Sequence, residues 1–332
     1  MIYSSPVFSI IIPAKNAGNF IHEALDSVLA QSFQDYEVLV IDDNSTDPTL
    51  EIVNTYLSKF KQGQLKIMSS PPDHIPGPGA VRNVGLRAAR GEFVAFLDAD
   101  DIWVPDHLEN VRRSFENYPE TVAYYGLAQG FDDSSRAWNR QLGWGPKEGN
   151  IGPFNAFQLI IQDDPAPLPS GCVRRKVAES VGGFEERLLT AQDWWFWICV
   201  AKQGLFVFSS KVEMLCRLHK NSHTVGGDGV NPMLSGPCFA DVAAHSGVLT
   251  QDESRPLCNM VMDRTSRRLQ HYVRTVQWDV LRKVLRIMKT CPSSERRIWF
   301  RIWIMVGKGL TRRLFRSAAV RLGLLPAERQ VM

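Results

Sequence analysis

The chain has 332 residues, of which 44% are hydrophobic and 22% charged, and its formal net charge is +3. This composition excludes a disordered chain, and no apolar run reaches the length of a membrane span. The six cysteines lack the spacing of a zinc site and the first residues lack the basic stretch of a signal peptide, so we expect a cytoplasmic protein.

Apolar runs alternate with amphipathic segments over the first 125 residues. The runs predict strands at residues 8–12, 36–41, 65–68, 93–97 and 122–125. The segments between them predict helices near residues 21–29, 50–60 and 80–89, and a further helix that opens at Pro105. Such alternation favours a mainly parallel sheet with helices on both faces, in which ligands lie beyond the carboxyl ends of the strands.

The remainder of the chain is less regular. Stretches rich in Gly or Pro predict loops at residues 143–152, 163–169 and 221–237. Residues 191–201 predict an aromatic helix, residues 205–208 predict a last strand, and the pattern after Pro256 is helical and basic. We therefore predict a first domain over residues 1–240 and a basic helical extension over residues 241–332.

Three acidic residues, Asp98, Asp100 and Asp101, directly follow the fourth predicted strand. Asp98 and Asp100 are two residues apart on an extended segment, so their carboxylates point to the same side. Hard oxygen ligands in this arrangement suit Mg²⁺ or Mn²⁺, which in turn hold substrate phosphates. The alternative is that Asp100 or Asp101 caps the helix near Pro105, although three acids exceed what one cap requires.

Four other polar residues are candidates for a site. Asp43, which follows the second strand together with Asp42, can accept hydrogen bonds from a nucleobase or a ribose, or else the pair forms an Asx-turn or a helix N-cap before Pro48. Arg82, in PGPGAVRNVG, can reach a base or a diphosphate, or else it is a surface arginine. Asp193 lies beside four aromatic residues, so it is a candidate for a shifted pKa and for a general base, or else it caps a helix. His219 can complete a metal site or bind a phosphate, although a single histidine is more often structural.

Together these motifs resemble family 2 glycosyltransferases. The matching segments are SIIIPAKNAGNFIHEALDSVLAQSFQDYEVLVIDDNSTD, GAVRNVGLRAARGEFVAFLDADD, SGCVRRKVAESVGGFEERL and QDWWFWICVAKQG. The resemblance covers about residues 7–222, and its specificity lies in the combination and order of the motifs. It implies an α/β fold of the type called GT-A, with a mostly parallel central sheet and flanking helices, and inversion at the anomeric carbon.

The resemblance also assigns the residues that bind the donor. It implies that Pro13 and Ala14 line the nucleoside pocket and that Asp43 binds the base, with Arg82 nearby. Asp98 would contact the ribose or the metal region.

Further assignments concern the metal and the base. The resemblance implies that Asp100 is the ligand of Mn²⁺ or Mg²⁺, that His219 lies near the donor phosphates, and that Asp193 is the general base. Gln192 stands where the family commonly has Glu, so contacts to the acceptor are expected to differ.

The expected activity is transfer of a sugar from a nucleotide-diphospho-sugar to a hydroxyl of a saccharide or lipid-linked saccharide, in cell-surface polysaccharide synthesis. The resemblance implies that the donor nucleotide is UDP. One alternative is a non-catalytic protein that binds a nucleotide sugar or a polysaccharide. Another is a nicotinamide-dependent oxidoreductase, but PAKNAGNF offers one glycine where the dinucleotide motif needs several.

From Asp263 onward the chain has 17 Lys and Arg against 4 Asp and Glu, a local balance of +13. Two stretches, residues 278–289 and 296–305, combine Trp and aliphatic residues with Arg or Lys. Basic helices rich in Trp are typical of segments that lie on an anionic membrane, so we expect peripheral binding to the inner face of the plasma membrane and no nucleic-acid partner. The alternative is a helical subdomain packed on the core.

Overall fold

The computed structural model describes residues 5–71, 73, 75, 77–131, 138–143, 145, 152–163, 167–219, 230–274 and 293–308. The chain divides into two compact units. One consists of Met1–Arg187 and Gln192–Val225, and the other of Leu188–Ala191 and Gly226–Met332. The functional boundary predicted at residue 240 stays a prediction.

The first unit is built around a mixed sheet flanked by helices. Its strands are β1 (Phe8–Ala14), β2 (Tyr36–Asp42), β3 (Leu65–Ser69), β4 (Phe93–Phe96), β5 (Ile102–Trp103), β6 (Thr121–Phe131), β7 (Trp138–Leu142), β8 (Gly171–Arg174) and β9 (Leu205–Arg217). Its helices are α1 (Ile21–Leu29), α2 (Thr49–Tyr56), α3 (Pro78–Ala88), α4 (His107–Asn117), α5 (Phe157–Ile160), α6 (Arg175–Ser180) and α7 (Gln192–Ala201), with a 3-10 turn at Leu168–Ser170.

The strand order of the sheet is β3-β2-β1-β4-β8-β6-β9-β5, and β7 pairs with β6. The pairs β1–β2, β1–β4 and β2–β3 are parallel, as predicted. Strand β8 is antiparallel to both β4 and β6, and β9 is parallel to β6, so β6 and β9 run in the same direction as β4. The carboxyl ends of β1, β2, β4, β6 and β9 therefore lie at one edge of the sheet, and the predicted α/β class with a mostly parallel sheet is confirmed.

Strands β1 and β2 are buried on both faces because their sequences are almost continuously aliphatic. Ile10, Ile11 and Ile12 of β1 and Val38 of β2 are each 0% exposed. Helix α3 packs closely on β1 at Gly85, where an added Cβ would lie 2.5 Å from Cγ2 of Ile11. This close approach fixes α3 against the sheet.

Several predicted elements differ from the observed ones. The strands predicted at residues 122–125 and 205–208 extend to Phe131 and Arg217. The short strands β5, β7 and β8 and the helices α5 and α6 were not predicted, since they carry too few residues for a periodic signal. Most of residues 143–152, and residues 164–166 of the second predicted loop, lie outside the described residues.

The loop predicted at residues 221–237 is wrong from residue 230 onward, while residues 220–229 lie outside the described residues. Helix α8 (Val230–His245) begins there and contains Pro237. A Cβ added at Gly236 would lie 2.2 Å from Oγ1 of Thr265, so this glycine lets α8 approach α9 (Gln251–Arg274). Packing between helices has overridden the loop-forming tendency of Gly and Pro.

The second unit is helical in its described part, with α8, α9 and α10 (Ser293–Lys308). Trp299, Ile302 and Val306 of α10 are at most 1% exposed, so one face of the predicted basic segment is packed in a core. The other predicted stretch, residues 278–289, lies outside the described residues. None of the described helices combines the length and the hydropathy needed to cross a bilayer.

Candidate active site

The loops that follow β1 and β2 are bound to each other at the carboxyl edge of the sheet. Asn16 and Asn44 have left-handed backbones, with φ of 50° and 56°, a conformation that asparagine tolerates better than most residues. The main-chain N–H of Asn16 donates to Oγ of Ser45 at 3.0 Å, and Oδ1 of Asn16 accepts from the N–H of Thr46 at 2.8 Å. These bonds build a defined floor for a ligand at the strand ends.

Asp43 is buried on this floor, and its main-chain N–H donates to the carbonyl of Ala14 at 2.7 Å. Its carboxylate accepts from Nζ of Lys15 at 2.8 Å and from Oγ of Ser70 at 3.0 Å. Of the Asp42-Asp43 pair, Asp42 forms the turn that was the alternative, because its carboxylate accepts the N–H of Ser45 at 3.2 Å. The Lys15 side chain is 59% exposed, so a ligand can displace it from Asp43 at little cost.

Pro13 and Ala14 complete this floor as the last residues of β1, paired with Ile41 and Asp42 of β2. The structure thus brings the three residues predicted for the nucleoside pocket, Pro13, Ala14 and Asp43, to adjacent positions.

Arg82 is 4% exposed, so it is not a surface arginine. Its Nη2 donates to Oδ1 of Asp98 at 2.5 Å. Its Nε and Nη1 are also buried, and neither has a hydrogen-bond partner within the described part of the chain. A buried donor without a partner is costly, so these two nitrogens call for a partner, such as a ligand or a bound water.

Asp100 and His219 meet at the same edge of the sheet. Nε2 of His219 lies 2.9 Å from Oδ2 of Asp100, and the ring of Phe20 packs on the imidazole with 4.8 Å between centroids. Their side chains are 32% and 18% exposed, so a ligand can reach both. The resemblance to family 2 glycosyltransferases implies that Asp100 holds the metal at the diphosphate and that His219 lies near the donor phosphates, whereas the spacing of the two residues in the sequence carries no such signal.

Asp101 is buried, and its Oδ1 accepts the main-chain N–H of Arg217 at 3.0 Å. Burial raises the pKa of Asp101 well above its usual range, and the neighbouring Asp100 and Asp98 carboxylates add to the rise. Neither Asp100 nor Asp101 caps α4, because β5 follows them and the residue flanking the start of α4 is Asp106. The capping alternative for these acids is therefore wrong.

Asp193 is partly buried in the first turn of α7, which begins at Gln192, so it is not the residue that flanks the helix start. Its Oδ1 accepts the N–H of Trp194 at 2.9 Å. Burial raises the pKa of Asp193, the Arg82 guanidinium opposes the rise, and the Asp98 carboxylate adds to it. Asp193, Arg82 and Asp98 are therefore within electrostatic reach of one another.

The aromatic residues after Asp193 belong to the core and do not form an open wall for a sugar. Trp194, Trp195, Phe196 and Trp197 are all at most 6% exposed. Gln192 differs from them, because its buried Oε1 has no hydrogen-bond partner among the described residues. The side chain of Gln192 lies near Gly79 of α3, at 3.3 Å from where a Cβ would stand.

One residue of the site was missed by the sequence reasoning. Arg217 ends β9 and is 3% exposed, and its Nε donates to the carbonyl of Asp100 at 3.0 Å. A signal was present, because Arg217 stands two residues before His219 in CRLHKNSHT.

No group of three or more His, Cys, Asp or Glu side chains close enough to hold a metal ion occurs among the described residues. Asp100 and His219 supply a carboxylate oxygen and an imidazole nitrogen, and their 2.9 Å separation suits adjacent ligands of an octahedral ion with bonds of about 2.1 Å. Mg²⁺ and Mn²⁺ sites of this kind commonly take one or two protein ligands and complete the shell with substrate phosphates. Asp100 and His219 therefore fit such an ion only if a diphosphate supplies further ligands.

The sequence profile described as Glycosyl transferase family 2 matches residues 9–180, which is more than half of the chain. An uncharacterised glycosyltransferase of Haemophilus influenzae is 41% identical over 104 residues, which cover 31% of this chain and 40% of the relative. The poly(ribitol-phosphate) beta-N-acetylglucosaminyltransferase TarS of Staphylococcus aureus is 46% identical over 98 residues, which cover 28% of this chain and 16% of TarS. The chain thus spans less than half the length of either relative.

Solved structures of glycosyltransferases share the fold of this chain. S. aureus TarS 1-349 in complex with UDP-GlcNAc has a TM-score of 0.65 at 20% identity, covering 95% of this chain and 92% of that one. The mannosyltransferase PcManGT from Pyrobaculum calidifontis, in complex with GDP-Man and Mn²⁺, has a TM-score of 0.54 at 17% identity, covering 98% of this chain and 89% of that one. At these identities the likeness concerns the fold, and it confirms the predicted GT-A architecture.

Proposed function

The chain belongs to glycosyl transferase family 2, and from this membership and the site at the strand ends we propose that it is a metal-dependent, inverting glycosyltransferase. The donor is a nucleotide-diphospho-sugar, with UDP as the nucleotide, and the acceptor is a hydroxyl of a saccharide or lipid-linked saccharide. One observation carries the proposal: Arg82, which is bound to Asp98 and opposes the rise in the pKa of Asp193, keeps two buried nitrogens without a partner in the described part of the chain.

The first of the two units is the catalytic part in this proposal, because every site residue named above lies in it. The base of the nucleotide lies on Pro13, Ala14 and Asp43, where the Asp43 carboxylate accepts a hydrogen bond from a base N–H. UDP is favoured because TarS, the neighbour with the TM-score of 0.65, was crystallised with UDP-GlcNAc. The diphosphate then lies toward Arg82 and Asp98.

Asp100 and His219 would hold the metal ion. The mixed oxygen and nitrogen set favours Mn²⁺ over Mg²⁺, since imidazole is a poor ligand for Mg²⁺. When bound, such an ion supplies positive charge against the diphosphate that leaves. PcManGT, which shares the fold of this chain, was crystallised with Mn²⁺, and this supports the use of a divalent metal ion.

Asp193 acts as the general base on the acceptor side. It takes the proton of the acceptor hydroxyl while the hydroxyl oxygen forms a bond to the anomeric carbon, and the bond from that carbon to the diphosphate breaks. The electron pair of the broken bond goes to the diphosphate, where the buried Arg82 opposes the growing negative charge. A single displacement of this kind needs one base and no enzyme nucleophile, and it inverts the anomeric centre.

The oxidoreductase alternative is disfavoured by the turn after β1. A Cβ added at Gly18, the glycine of that turn, would lie 2.9 Å from Oδ2 of Asp47, so the residue is small because it packs on Asp47. The dinucleotide motif requires glycines that let a pyrophosphate approach the backbone.

Turnover separates an enzyme from a non-catalytic binder. UDP release is measured from a panel of UDP-sugars with Mn²⁺ and saccharide acceptors, and the anomeric configuration of the product is read by NMR. We expect release in the wild-type chain and loss of release in Asp193→Asn. Donor binding without release in the wild type would favour the binder.

We further propose that α10 binds an anionic membrane surface, which would place the enzyme at the inner face of the plasma membrane for cell-surface polysaccharide synthesis. Arg297, Phe300, Arg301 and Ile304 follow helical spacing and share one exposed face, on which Phe300 is 68% and Ile304 46% exposed. Apolar side chains flanked by arginines on one helix face suit insertion among anionic headgroups.

Vesicle flotation tests the membrane proposal. Vesicles that contain phosphatidylglycerol should carry the wild-type chain, and the double variant Phe300→Ser/Ile304→Ser should stay behind. Leu57→Ser is the matched control, because Leu57 is 47% exposed in the other unit. Equal flotation of the double variant and the control would contradict the proposal.

A further inference from the structure

Arg217 joins three separate elements at the metal-binding edge of the first unit. Its main-chain N–H donates to Oδ1 of Asp101 and its Nε donates to the carbonyl of Asp100, both at 3.0 Å. Its Nη2 donates to Oε1 of Glu23 on α1 at 2.7 Å. One residue at the end of β9 therefore holds the acidic loop after β4 and the first turn of α1.

Two aromatic rings flank the same guanidinium. The ring of Phe131 lies 4.6 Å and that of Phe20 5.0 Å from Cζ of Arg217. The Phe20 ring also packs on the imidazole of His219, with 4.8 Å between centroids. Arg217 and His219 thus share one aromatic neighbour, and a shift of either would displace the other.

The pair Asp100 and His219 depends on these contacts. Asp100 is in the loop after β4, and His219 is two residues beyond the end of β9, so neither lies on a regular element that could align them. Arg217 binds the main chain of Asp100 directly and precedes His219 by two residues, which links the two sides of the 2.9 Å contact between Nε2 and Oδ2.

We propose that Arg217 is a positioning residue that holds Asp100 and His219 at the separation that a divalent cation requires. The divalent cation in this inference is the one in the proposed function, on which the inference therefore rests. The inference adds Arg217, a residue that acts on the metal through Asp100 and His219. Residues that orient metal ligands in this way typically change metal affinity by about 10- to 100-fold when replaced.

Arg174 is a matched control in the same unit. Its Nε donates to the carbonyl of Thr121 at 2.7 Å, and its Nη1 pairs with Glu92 at 3.1 Å. Its guanidinium also lies over two rings, those of Phe93 and Phe115, at 5.2 and 5.0 Å. Arg174 pairs with Phe93 at the start of β4, the end of the strand opposite Asp98, so it has similar contacts away from the site.

The experiment compares Arg217→Met with Arg174→Met in the full chain. Thermal unfolding measures the stability of each variant. A crystal structure without metal gives the distance from Asp100 Oδ2 to His219 Nε2. Titration followed by electron paramagnetic resonance gives the Mn²⁺ affinity in the presence of UDP. In Arg217→Met we expect loss of the 2.9 Å contact and Mn²⁺ binding weakened by at least about 10-fold. In Arg174→Met we expect the contact between Asp100 and His219 and the Mn²⁺ affinity to be retained, whatever stability the loss of its own contacts costs.

Retention of the contact and of Mn²⁺ affinity in Arg217→Met would overturn the proposal and leave Arg217 a structural residue. Failure of the wild type to bind Mn²⁺ with UDP would contradict the proposed function, while the metal-free distance would still decide the role of Arg217. If Arg217→Met does not fold, Arg217→Lys takes its place, because lysine keeps the charge against Glu23 but lacks the fork that also reaches the Asp100 carbonyl.

Discussion

Nη2 of Arg82 lies 2.5 Å from Oδ1 of Asp98, and this is the one hydrogen bond that the guanidinium makes within the described part of the chain. The side chain of Asp98 is 33% exposed while that of Arg82 is 4% exposed, so the pair joins a buried cation to a carboxylate that solvent can reach. In the proposed function, oxygens of the donor diphosphate would supply partners for the two unused donors of this buried cation.

Replacement of Arg82 should weaken donor binding. Arg82→Met removes the buried cation, and we expect the dissociation constant for UDP to rise by about 10- to 100-fold, as for a lost charged hydrogen bond. Calorimetry with Mn²⁺ present measures it. Arg87→Met is the control, because Arg87 is exposed on the same helix. Equal affinity for UDP in the two variants would remove Arg82 from the donor site.

The pH dependence of transfer should report Asp193. A general base must be ionised, so kcat/KM rises as the pH increases through its pKa. Burial raises the pKa of Asp193 above its usual value, and Arg82 opposes that rise. We therefore expect the rising limb to move to higher pH in Arg82→Met. If the rising limb of kcat/KM against pH lies at the same pH in Arg82→Met as in the wild type, another group controls this limb.

Asp193→Asn should abolish the chemical step and spare binding. The amide keeps a side-chain oxygen that can accept the N–H of Trp194, so the first turn of α7 is preserved. We expect kcat to fall by about 10²- to 10⁴-fold, the contribution of a general base, with little change in affinity for UDP. A variant that transfers sugar at the wild-type rate would refute the base assignment.

The strand ends were predictable from sequence because β1, β2 and β4 are continuous apolar runs followed at once by polar residues. This pattern alone predicts that Asp43, Asp98 and Asp100 lie at one edge of the sheet. The partnership of Arg82 with Asp98 was not predictable, since α3 is buried through the contact of Gly85 with β1, which no local pattern reveals.

The second half of the chain was harder to predict for two physical reasons. Short strands such as β8 carry no periodic signal, although β8 determines the direction of the strands beside it. In α8, Gly236 and Pro237 indicate a loop by their propensities, but the packing of Gly236 on Thr265 favours the helix. Arg217 was missed because its contacts join segments more than 100 residues apart in sequence.

Glu37 should stabilise the fold in a pH-dependent way. Burial raises the pKa of this carboxyl, but hydrogen bonds from Ser9, Arg90 and Lys66 lower it more, so the net pKa is below its usual value. The stabilisation is then complete above the unfolded pKa and is lost as the pH falls through the lower folded pKa. We expect Glu37→Gln to cost about 1–3 kcal/mol at neutral pH and less in acid.

Urea unfolding at neutral and acid pH measures the effect of Glu37→Gln on the free energy of unfolding. Glu92→Gln is the control, because Glu92 pairs with Arg174 but is 64% exposed, and such pairs contribute at most about 1 kcal/mol. A cost for Glu37→Gln that does not change with pH would contradict the role of its charge.

In the proposed function, the acids at the strand ends hold a divalent cation against a nucleotide diphosphate. Calorimetric titration of UDP into the wild-type chain and into Asp100→Asn, with and without Mn²⁺, tests it most directly. We predict that Mn²⁺ strengthens UDP binding in the wild type and that Asp100→Asn removes most of this gain. Equal gains from Mn²⁺ in both chains, or no UDP binding by the wild type under any condition, would contradict the claim.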